Sequence, residues 1–144
     1  MRNKQKITLA YTAGIIDGDG CVSISKCKDK TKKGFHYQLD VAVWSIDEWL
    51  IRWLKMQYGG TIVFRPASGV RQDRWKWALT SNKATSFLLL VLPYLNLKQP
   101  QAEIAISFPI KNAKRGKTDE ELAVLEAQRI LLSGMNSNKN KKRK

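Results

Sequence analysis

The sequence predicts a single α+β domain, and three observations carry this prediction. The chain has 144 residues, a length at which one compact core is usual. Apolar residues recur with helical and with alternating periods, in the order helix, hairpin, helix, hairpin and further helices. Strands that are joined as hairpins pair antiparallel. We therefore expect about four strands in one antiparallel sheet, with the helices packed against it.

The first half of the chain supplies a helix and a hairpin. A helix is predicted over Thr8–Ile16, and because it is apolar nearly all round we expect it to be buried. The glycines of Asp-Gly-Asp-Gly at 17–20 end it and permit close backbone approach. Alternating residues predict half-buried strands over Cys21–Cys27 and Gln38–Trp44, which a lysine-rich turn around Gly34 connects.

The second half repeats this order and then becomes helical. Apolar residues at helical spacing predict a helix over Ile46–Tyr58 that ends at Gly-Gly, and we expect its tryptophans in the core. A second hairpin is predicted from Thr61–Arg65 and Arg74–Thr80. The remaining predicted helices are Asn82–Leu92, Ala102–Phe108 behind Pro100, and one from the capping pair Thr118 and Glu121 toward Leu132.

Charge is concentrated at the two ends of the chain. Lys and Arg number 26 against 12 Asp and Glu, a net charge of +14, which predicts a polyanionic partner. Eight of these basic residues lie in the terminal segments, which contain no acids. We expect residues 1–7 to form a basic arm, residues 8–134 the folded domain, and residues 135–144 a basic, disordered tail.

The sequence excludes several classes of protein. No apolar run approaches the roughly 20 residues that span a bilayer, and no signal-peptide core follows the first basic residues. We expect an intracellular protein, in the cytoplasm or an organelle, with no membrane partner. Cys21 and Cys27 lie about 20 Å apart on one strand, too far for a disulfide. One histidine, His36, without clustered cysteines argues against a zinc finger.

The face of the sheet that does not carry Val, Ile, Leu and Trp is polar and basic. Such a face, with lysines at a hairpin tip, is suited to a DNA major groove, although an ordinary solvated face is the alternative. The predicted DNA-binding residues are Ser23, Ser25, Cys27, Lys28, Lys30, Lys32, Gln38, Asp40, Ala42, Trp44, Arg65, Arg71, Arg74 and Lys76.

Two segments resemble one known family. Residues 13–20, Ala-Gly-Ile-Ile-Asp-Gly-Asp-Gly, resemble the signature motif of the LAGLIDADG homing endonucleases. Residues 92–102 resemble the segment of single-motif members that carries an active-site lysine, which corresponds to Lys98. The element order also resembles that family's αββαββα core over residues 8–110, which implies a saddle-shaped, DNA-binding sheet followed by C-terminal helices.

The resemblance implies a metal-dependent site shared between two copies of the chain. Asp19 would bind the metal beside the Gly18 carbonyl, and Lys98 would order water or stabilise charge near the phosphate. One motif copy implies a homodimer in which small residues let two helices approach, and Asp17 is structural near the helix end. The implied interface residues are Ala10, Ala13, Gly14 and Asp17. Mg²⁺ is the implied cofactor, Mn²⁺ would substitute, and Ca²⁺ would support binding only.

The implied function is that of an intron-encoded homing endonuclease. It would cut both strands of a long, pseudo-palindromic DNA site and leave 3′ overhangs. Ser45 aligns with a glutamine that positions water in one branch of the family, and Asp47 is the alternative for that role. An intron RNA splicing maturase, or a nucleic-acid-binding protein without cleavage, remains the alternative function because basic termini suit RNA equally well.

Overall fold

The computed structural model describes residues 2–28, 35–109 and 118–141. The turn around Gly34, with the predicted DNA contacts Lys30 and Lys32, lies outside these residues. Within them the chain forms five α-helices and one sheet of four strands, which confirms the predicted α+β fold. The elements are α1 (Arg2–Asp19), β1 (Gly20–Lys28), β2 (Phe35–Ser45), α2 (Glu48–Tyr58), β3 (Thr61–Arg65), β4 (Arg74–Thr80), α3 (Ser81–Val91), a short 3₁₀ helix (Leu92–Tyr94), α4 (Gln99–Ser107) and α5 (Asp119–Lys141).

The four strands form one antiparallel sheet in the order β1-β2-β4-β3. Gly20, at the start of β1, pairs with Val43, and Trp44 on β2 pairs with Lys76 on β4. Strand β1 leads away from α1 and β2 returns toward it. The end of α1, the end of β2 and the start of β4 therefore lie at one end of the sheet, which we call the α1 end.

One face of the sheet forms the core with α1, α2 and α3. Strand residues of alternate positions are buried there: Val22, Ile24, Tyr37, Leu39, Val41, Val43, Trp77 and Leu79. Ile16 of α1, Leu54 of α2 and Leu88 of α3 are fully buried against them. The Trp77 indole N–H donates to the Gly59 carbonyl at 2.8 Å, so the largest core side chain has its polar atom satisfied. This core face agrees with the strand alternation in the sequence.

Helix α1 is longer than predicted at both ends. It begins at Arg2 instead of Thr8, because residues 2–7 include Arg, Lys and Gln, which extend a helix readily. The predicted basic arm is therefore helical over residues 2–7. At the other end α1 passes directly into β1 at Gly20. A Cβ atom there would lie 2.7 Å from Ile16 Cα, so this turn requires glycine.

Helix α5 also continues beyond its predicted end. It runs through Gly134 to Lys141, so the disorder predicted from residue 135 onward does not hold for residues 135–141. The reason is tertiary contact, which sequence composition does not reveal. Leu125 and Leu132 are buried, and the Asn136 side-chain amide donates to the Val22 carbonyl on β1 at 3.0 Å. Helix α5 thus covers β1, an edge strand of the sheet.

The structure also describes the two cysteines and the lengths of the helices. Cys21 is exposed and Cys27 half-buried on β1, and both are free thiols, as predicted. Among the residues that the structure describes, no helix is long and apolar enough to cross a membrane.

Candidate active site and nucleic-acid interface

The end of α1 presents two exposed oxygen donors. Gly18 and Asp19 are both exposed, and they occupy the last two positions of the helix before β1 begins. The carbonyls of the last four residues in any helix have no partner within that helix. The Gly18 carbonyl therefore has no acceptor role within α1, and the Asp19 carboxylate belongs to the adjacent residue.

Asp17 fixes the end of α1 to the segment that carries Lys98. Its carboxylate accepts hydrogen bonds from the backbone N–H groups of Asn96 and Lys98, each at 2.9 Å. Its side chain is nearly buried. The structural role implied for Asp17 agrees with these contacts. Its assignment to a dimer interface does not, because the side chain faces the interior of its own protomer.

Lys98 is brought to the same helix end although it lies far away in sequence. Its ammonium donates to the carbonyl of Ile16 at 2.9 Å and to that of Asp17 at 3.1 Å, and the residue is buried. A cation at a helix C-terminus is favourable because it complements the helix dipole and satisfies orphan carbonyls. The structure therefore joins the two segments that resemble the family, and it places the Lys98 charge directly before Gly18 and Asp19.

Ser45 and Asp47 have local structural roles. The Ser45 hydroxyl accepts from the Asp47 backbone N–H at 2.9 Å, and the Asp47 carboxylate caps α2 by accepting from the N–H groups of Trp49 and Leu50. Ser45 also has the strand parity of Val43, whose side chain is buried. The structure thus gives no support to Ser45 as a water-positioning residue, because its hydroxyl is used in the turn before α2.

The outward face of the sheet carries a polar cluster far from the α1 end. The Ser25 hydroxyl donates to one carboxylate oxygen of Asp40 at 2.5 Å, and the Gln38 side-chain amide donates to the other at 2.9 Å. All three residues are half-buried. The neighbours orient the Asp40 carboxylate, which has further lone pairs for accepting hydrogen bonds from a ligand.

A cationic cluster occupies the same face at the α1 end. The Arg74 guanidinium carbon lies 4.5 Å from the centre of the Trp44 ring, and the Lys76 ammonium lies 5.6 Å from it. These distances are in the range of cation–π attraction. The outward face therefore has a carboxylate at Asp40 that can accept hydrogen bonds, and it has two cations beside the Trp44 ring.

The other predicted DNA-binding residues are distributed around these two clusters. Ser23, Cys27, Ala42 and Arg65 share the outward strand parity. Lys28 is exposed at the end of β1 but has the parity of the core residues Val22 and Ile24, and Arg71 is exposed in the loop between β3 and β4. Ala42 is nearly buried between the two clusters. The residues concerned are Ser23, Cys27, Lys28, Ala42, Arg65 and Arg71.

Sequence reasoning missed an exposed apolar face on α1 and α2. Ile7, Ala10, Tyr11 and Gly14 of α1 are exposed, and we call them the α1 outer face. Tyr11 packs edge-on against Trp53 at 5.3 Å between ring centres, and Trp53 stacks on Trp49 at 6.4 Å. Trp49 is 64% exposed, so its predicted place in the core is wrong. The four-residue spacing of Ile7 and Tyr11 was the available signal.

Ala10 and Ala13, the two alanines assigned with Gly14 to the dimer interface, lie on different sides of α1. Ala10 is exposed on the α1 outer face, whereas Ala13 is completely buried in its own protomer's core. The position of Ala13 therefore contradicts its assignment to a dimer interface. A helix advances about 100° per residue, so Ala13 and Gly14 cannot share a face although both are small.

A second missed cluster attaches α5 to the hairpin of β1 and β2. The Glu126 carboxylate accepts from the Arg129 guanidinium and from the Tyr37 hydroxyl, the latter at 2.6 Å. These hydrogen bonds lower the pKa of Glu126 to about 2. Burial, together with the bond to Glu126, raises the pKa of Tyr37 to about 12. The cluster is structural, since it lies on the core side of the hairpin and not on its outward face.

The donors at the end of α1 fit a hard divalent cation. In the ranges that the structure describes, no group of three or more His, Cys, Asp or Glu side chains could hold a metal ion alone. Mg²⁺ does not require such a group, because it keeps several waters and binds through one or two carboxylates together with substrate phosphates. The Asp19 carboxylate and the Gly18 carbonyl are oxygen donors of this kind, and both are exposed.

Solved structures with this fold include LAGLIDADG homing endonucleases. No protein-family model matches the sequence, and no curated protein sequence matches it. The homing endonuclease I-CvuI, in complex with the I-CreI target, has a TM-score of 0.80 and 18% identity over 92% of this chain and 83% of its own. The archaeal intron-encoded homing endonuclease I-Vdi141I, complexed with DNA, has a TM-score of 0.74 and 14% identity over 90% of this chain and 84% of its own.

A third structure shows how the length of this chain compares with longer proteins. The LAGLIDADG homing endonuclease I-LtrWI, bound to target DNA, has a TM-score of 0.65 and 20% identity over 83% of this chain. The match covers 42% of that longer chain, whereas it covers most of I-CvuI and I-Vdi141I. The chain therefore has the fold of LAGLIDADG homing endonucleases, and the match covers 83% of I-CvuI and 84% of I-Vdi141I.

Proposed function

We propose that this protein is a site-specific homing endonuclease that acts on duplex DNA as a homodimer. The observation that carries the proposal is the joining of two distant segments at one helix end. Asp17 holds the segment that carries Lys98, and Lys98 contacts the last turn of α1 immediately before Gly18 and Asp19. A buried cation beside an exposed carboxylate is an arrangement suited to a phosphate that approaches with a divalent metal.

In this proposal, residues of the sheet bind the DNA, and residues at the end of α1 take part in cutting it. The outward face of the sheet lies against the duplex, where its basic side chains contact phosphates and its polar side chains contact base edges. Asp19 and the Gly18 carbonyl hold Mg²⁺, which when bound activates water and neutralises charge at the scissile phosphate. Lys98 keeps α1 in place and adds positive potential where the phosphate charge increases. Mn²⁺ would substitute in this role, and Ca²⁺ would support binding only.

Two copies are proposed because each chain supplies one such carboxylate and a double-strand break involves two phosphates. The α1 outer face offers a contact surface of suitable chemistry. Ile7 is 68% and Tyr11 51% exposed, and a Cβ at Gly14 would meet no atom within 4 Å apart from the adjoining backbone of α1 itself. A second α1 helix packed across this face would bury apolar area and bring both Asp19 residues together at a twofold axis.

The remaining features of the proposal concern the product and the biological setting. The target is a long, pseudo-palindromic site, each protomer contacts one half of it, and the break leaves 3′ overhangs. Intron encoding is part of the proposal and is supported by the likeness to I-Vdi141I, which is described as intron-encoded. An intracellular place of action, in the cytoplasm or an organelle, follows from a DNA substrate.

The experiment selects cleaved sites from a randomised duplex library in the presence of Mg²⁺. We expect the protein to cut a single family of sites that are nearly twofold symmetric. Asp19→Asn should abolish cutting while it spares binding to the selected duplex in Ca²⁺, because the change removes a metal ligand and leaves the sheet intact. Asp119→Asn, an exposed acid at the start of α5, is the matched control.

Two outcomes would contradict the proposal. Undiminished cutting by Asp19→Asn would refute the metal assignment. Selection of no cleaved site by the wild-type chain, together with binding to structured intron RNA, would favour the function of a splicing maturase.

A further inference from the structure

Trp44 lies on the outward face of the sheet, near the α1 end and beside two cationic side chains. It is the outward-facing residue of β2 nearest to the α1 end, since Gly20 pairs with Val43, the residue before it. Trp44 on β2 is paired with Lys76 on β4 in the register of the two strands. Arg74, two residues earlier on β4, reaches diagonally back so that its guanidinium carbon lies 4.5 Å from the ring centre.

The Trp44 side chain lies on the outward face of the sheet, so packing in the hydrophobic core does not account for its large aromatic ring. Trp44 is half-buried, and its ring contacts two cations instead of the apolar residues on the other side of the sheet. The attraction of a ring face for a guanidinium restricts a long side chain that would otherwise be mobile. A guanidinium that is held by its face retains N–H donors along its edge. Trp44 therefore orders Arg74 and leaves it able to donate hydrogen bonds.

We propose that Trp44 is a positioning residue that presents Arg74 to a guanine in the part of each half-site nearest to the cut. An ordered guanidinium recognises guanine because its two donors match the O6 and N7 acceptors in the major groove. The inference rests on the proposed function, since it assumes that the outward face of the sheet lies against duplex DNA. Beyond that function, the inference names guanine as the base recognised at the α1 end and assigns Trp44 the role of ordering Arg74.

The polar cluster on the same strand gives the half-site a direction. Asp40 is four residues before Trp44 on β2, and Ser25 and Gln38 orient its carboxylate. An oriented carboxylate accepts hydrogen bonds from the amino group of cytosine or adenine and repels the acceptors of guanine. Four residues of strand span about 13 Å, which equals the rise of about four base pairs. We therefore expect an amino-bearing base about four pairs farther from the cut than the guanine.

The test measures base preference and not only affinity. The duplex selected by the wild-type protein is varied one base pair at a time, and binding by the full chain is measured in Ca²⁺ for each variant protein. Arg74→Gln and Trp44→Leu should reduce the preference for guanine at the same base pair by about tenfold, because the first removes the guanidinium and the second removes the ring that orders it. Trp44→Phe should retain most of that preference, because a phenyl ring still holds the guanidinium.

Two further variants locate the effect. Asp40→Asn should relax the preference about four pairs farther out and leave the inner guanine preference unchanged. Lys83→Gln, an exposed charge on α3, should lower affinity slightly and change the preference at no base pair.

Three results would overturn the inference. The first is a uniform loss of affinity in Trp44→Leu with an unchanged preference at every base pair. The second is a loss in Trp44→Phe equal to that in Trp44→Leu. The third is an effect of Trp44 and Arg74 at different base pairs. Each of these leaves site-specific cleavage intact, whereas a wild-type protein that selects no duplex refutes the proposed function itself.

Discussion

Helices α1 and α5 are attached to the same sheet in different ways. Helix α1 packs on the core face and is fixed at its C-terminal end, where Asp17 and Lys98 connect it to the segment after α3. Helix α5 follows the edge strand β1 and is held by side-chain hydrogen bonds through Glu126 and Asn136. The core and the candidate site depend on the first attachment, whereas the second supports one hairpin.

This difference between α1 and α5 predicts whether a substitution changes the stability of the domain, the assembly of two copies or neither strongly. A change on the inner side of α1 should lower the stability of the whole domain, because that side is part of the core. A change on the α1 outer face should leave the protomer folded and affect assembly alone. A change in the contacts of α5 should have a small effect that depends on pH. Substitutions of Asp17, Gly14 and Glu126 test this order.

Asp17→Ala should have the largest effect. The substitution leaves the backbone N–H groups of Asn96 and Lys98 without their carboxylate acceptor in a nearly buried place. We expect the free energy of unfolding to fall by about 3 kcal/mol, since each lost bond is to a charged group. Urea denaturation of the purified chain measures this value. A loss below about 1 kcal/mol would mean that α1 is not anchored by this carboxylate.

Gly14→Leu should affect assembly more than folding. A Cβ at Gly14 would meet no atom within 4 Å apart from the adjoining backbone of α1 itself, so the side chain is accommodated by the single chain but blocks a second helix. We expect dimer dissociation to become easier by about 2 kcal/mol, or roughly thirtyfold. Sedimentation equilibrium measures the dissociation constant. Gly134→Leu is the matched control, because Gly134 of α5 is equally free of contacts; equal weakening by both variants would exclude the α1 outer face.

Glu126→Gln should have the smallest effect, below about 1 kcal/mol, and that effect should depend on pH. Arg129 and Tyr37 lower the pKa of Glu126 from 4.5 to about 2 in the folded chain. The folded state therefore keeps this carboxylate charged at a pH where the unfolded chain protonates it. Its stabilising contribution is complete above pH 4.5 and is lost as the pH falls toward about 2.

Urea denaturation near neutral pH and near pH 2 checks this dependence. The wild type and Glu126→Gln should differ in stability at the higher pH and converge at the lower one. Glu103→Gln, which removes an exposed acid on α4, controls for the change in net charge. A difference between wild type and Glu126→Gln that is constant with pH would show that the carboxylate does not stabilise the fold through its charge.

The sequence predicted the sheet well because strand patterns are strict. A period of two residues fixes which side chains face the core, and a shift of one position would turn Val41 and Val43 toward solvent. The joining of Lys98 to the end of α1 was implied only by family resemblance, because no local pattern connects residues that lie about 80 positions apart.

Other features depended on contacts that no local pattern reveals. Residues 135–141 are polar, and only the docking of Leu132 and Asn136 on β1 explains why they are helical. The apolar character of α1 on all sides concealed which side faces its own core, so Ala13 and Asp17 were assigned to the wrong side. The sequence did not show that the Ser45 hydroxyl accepts from the Asp47 N–H, because a hydroxyl near a helix start can serve a turn as readily as it can bind a water molecule.

A heterodimer of one wild-type chain and one Asp19→Asn chain tests most directly whether two copies form one cutting centre. The two chains carry different affinity tags, and the mixed dimer is purified through both. Its substrate is a supercoiled plasmid that contains the duplex selected by the wild-type protein. We predict that it nicks one strand and that open circles accumulate, because each Asp19 serves one phosphate. Linear plasmid produced by the heterodimer at the wild-type rate would contradict the composite site, since one intact chain would then cut both strands.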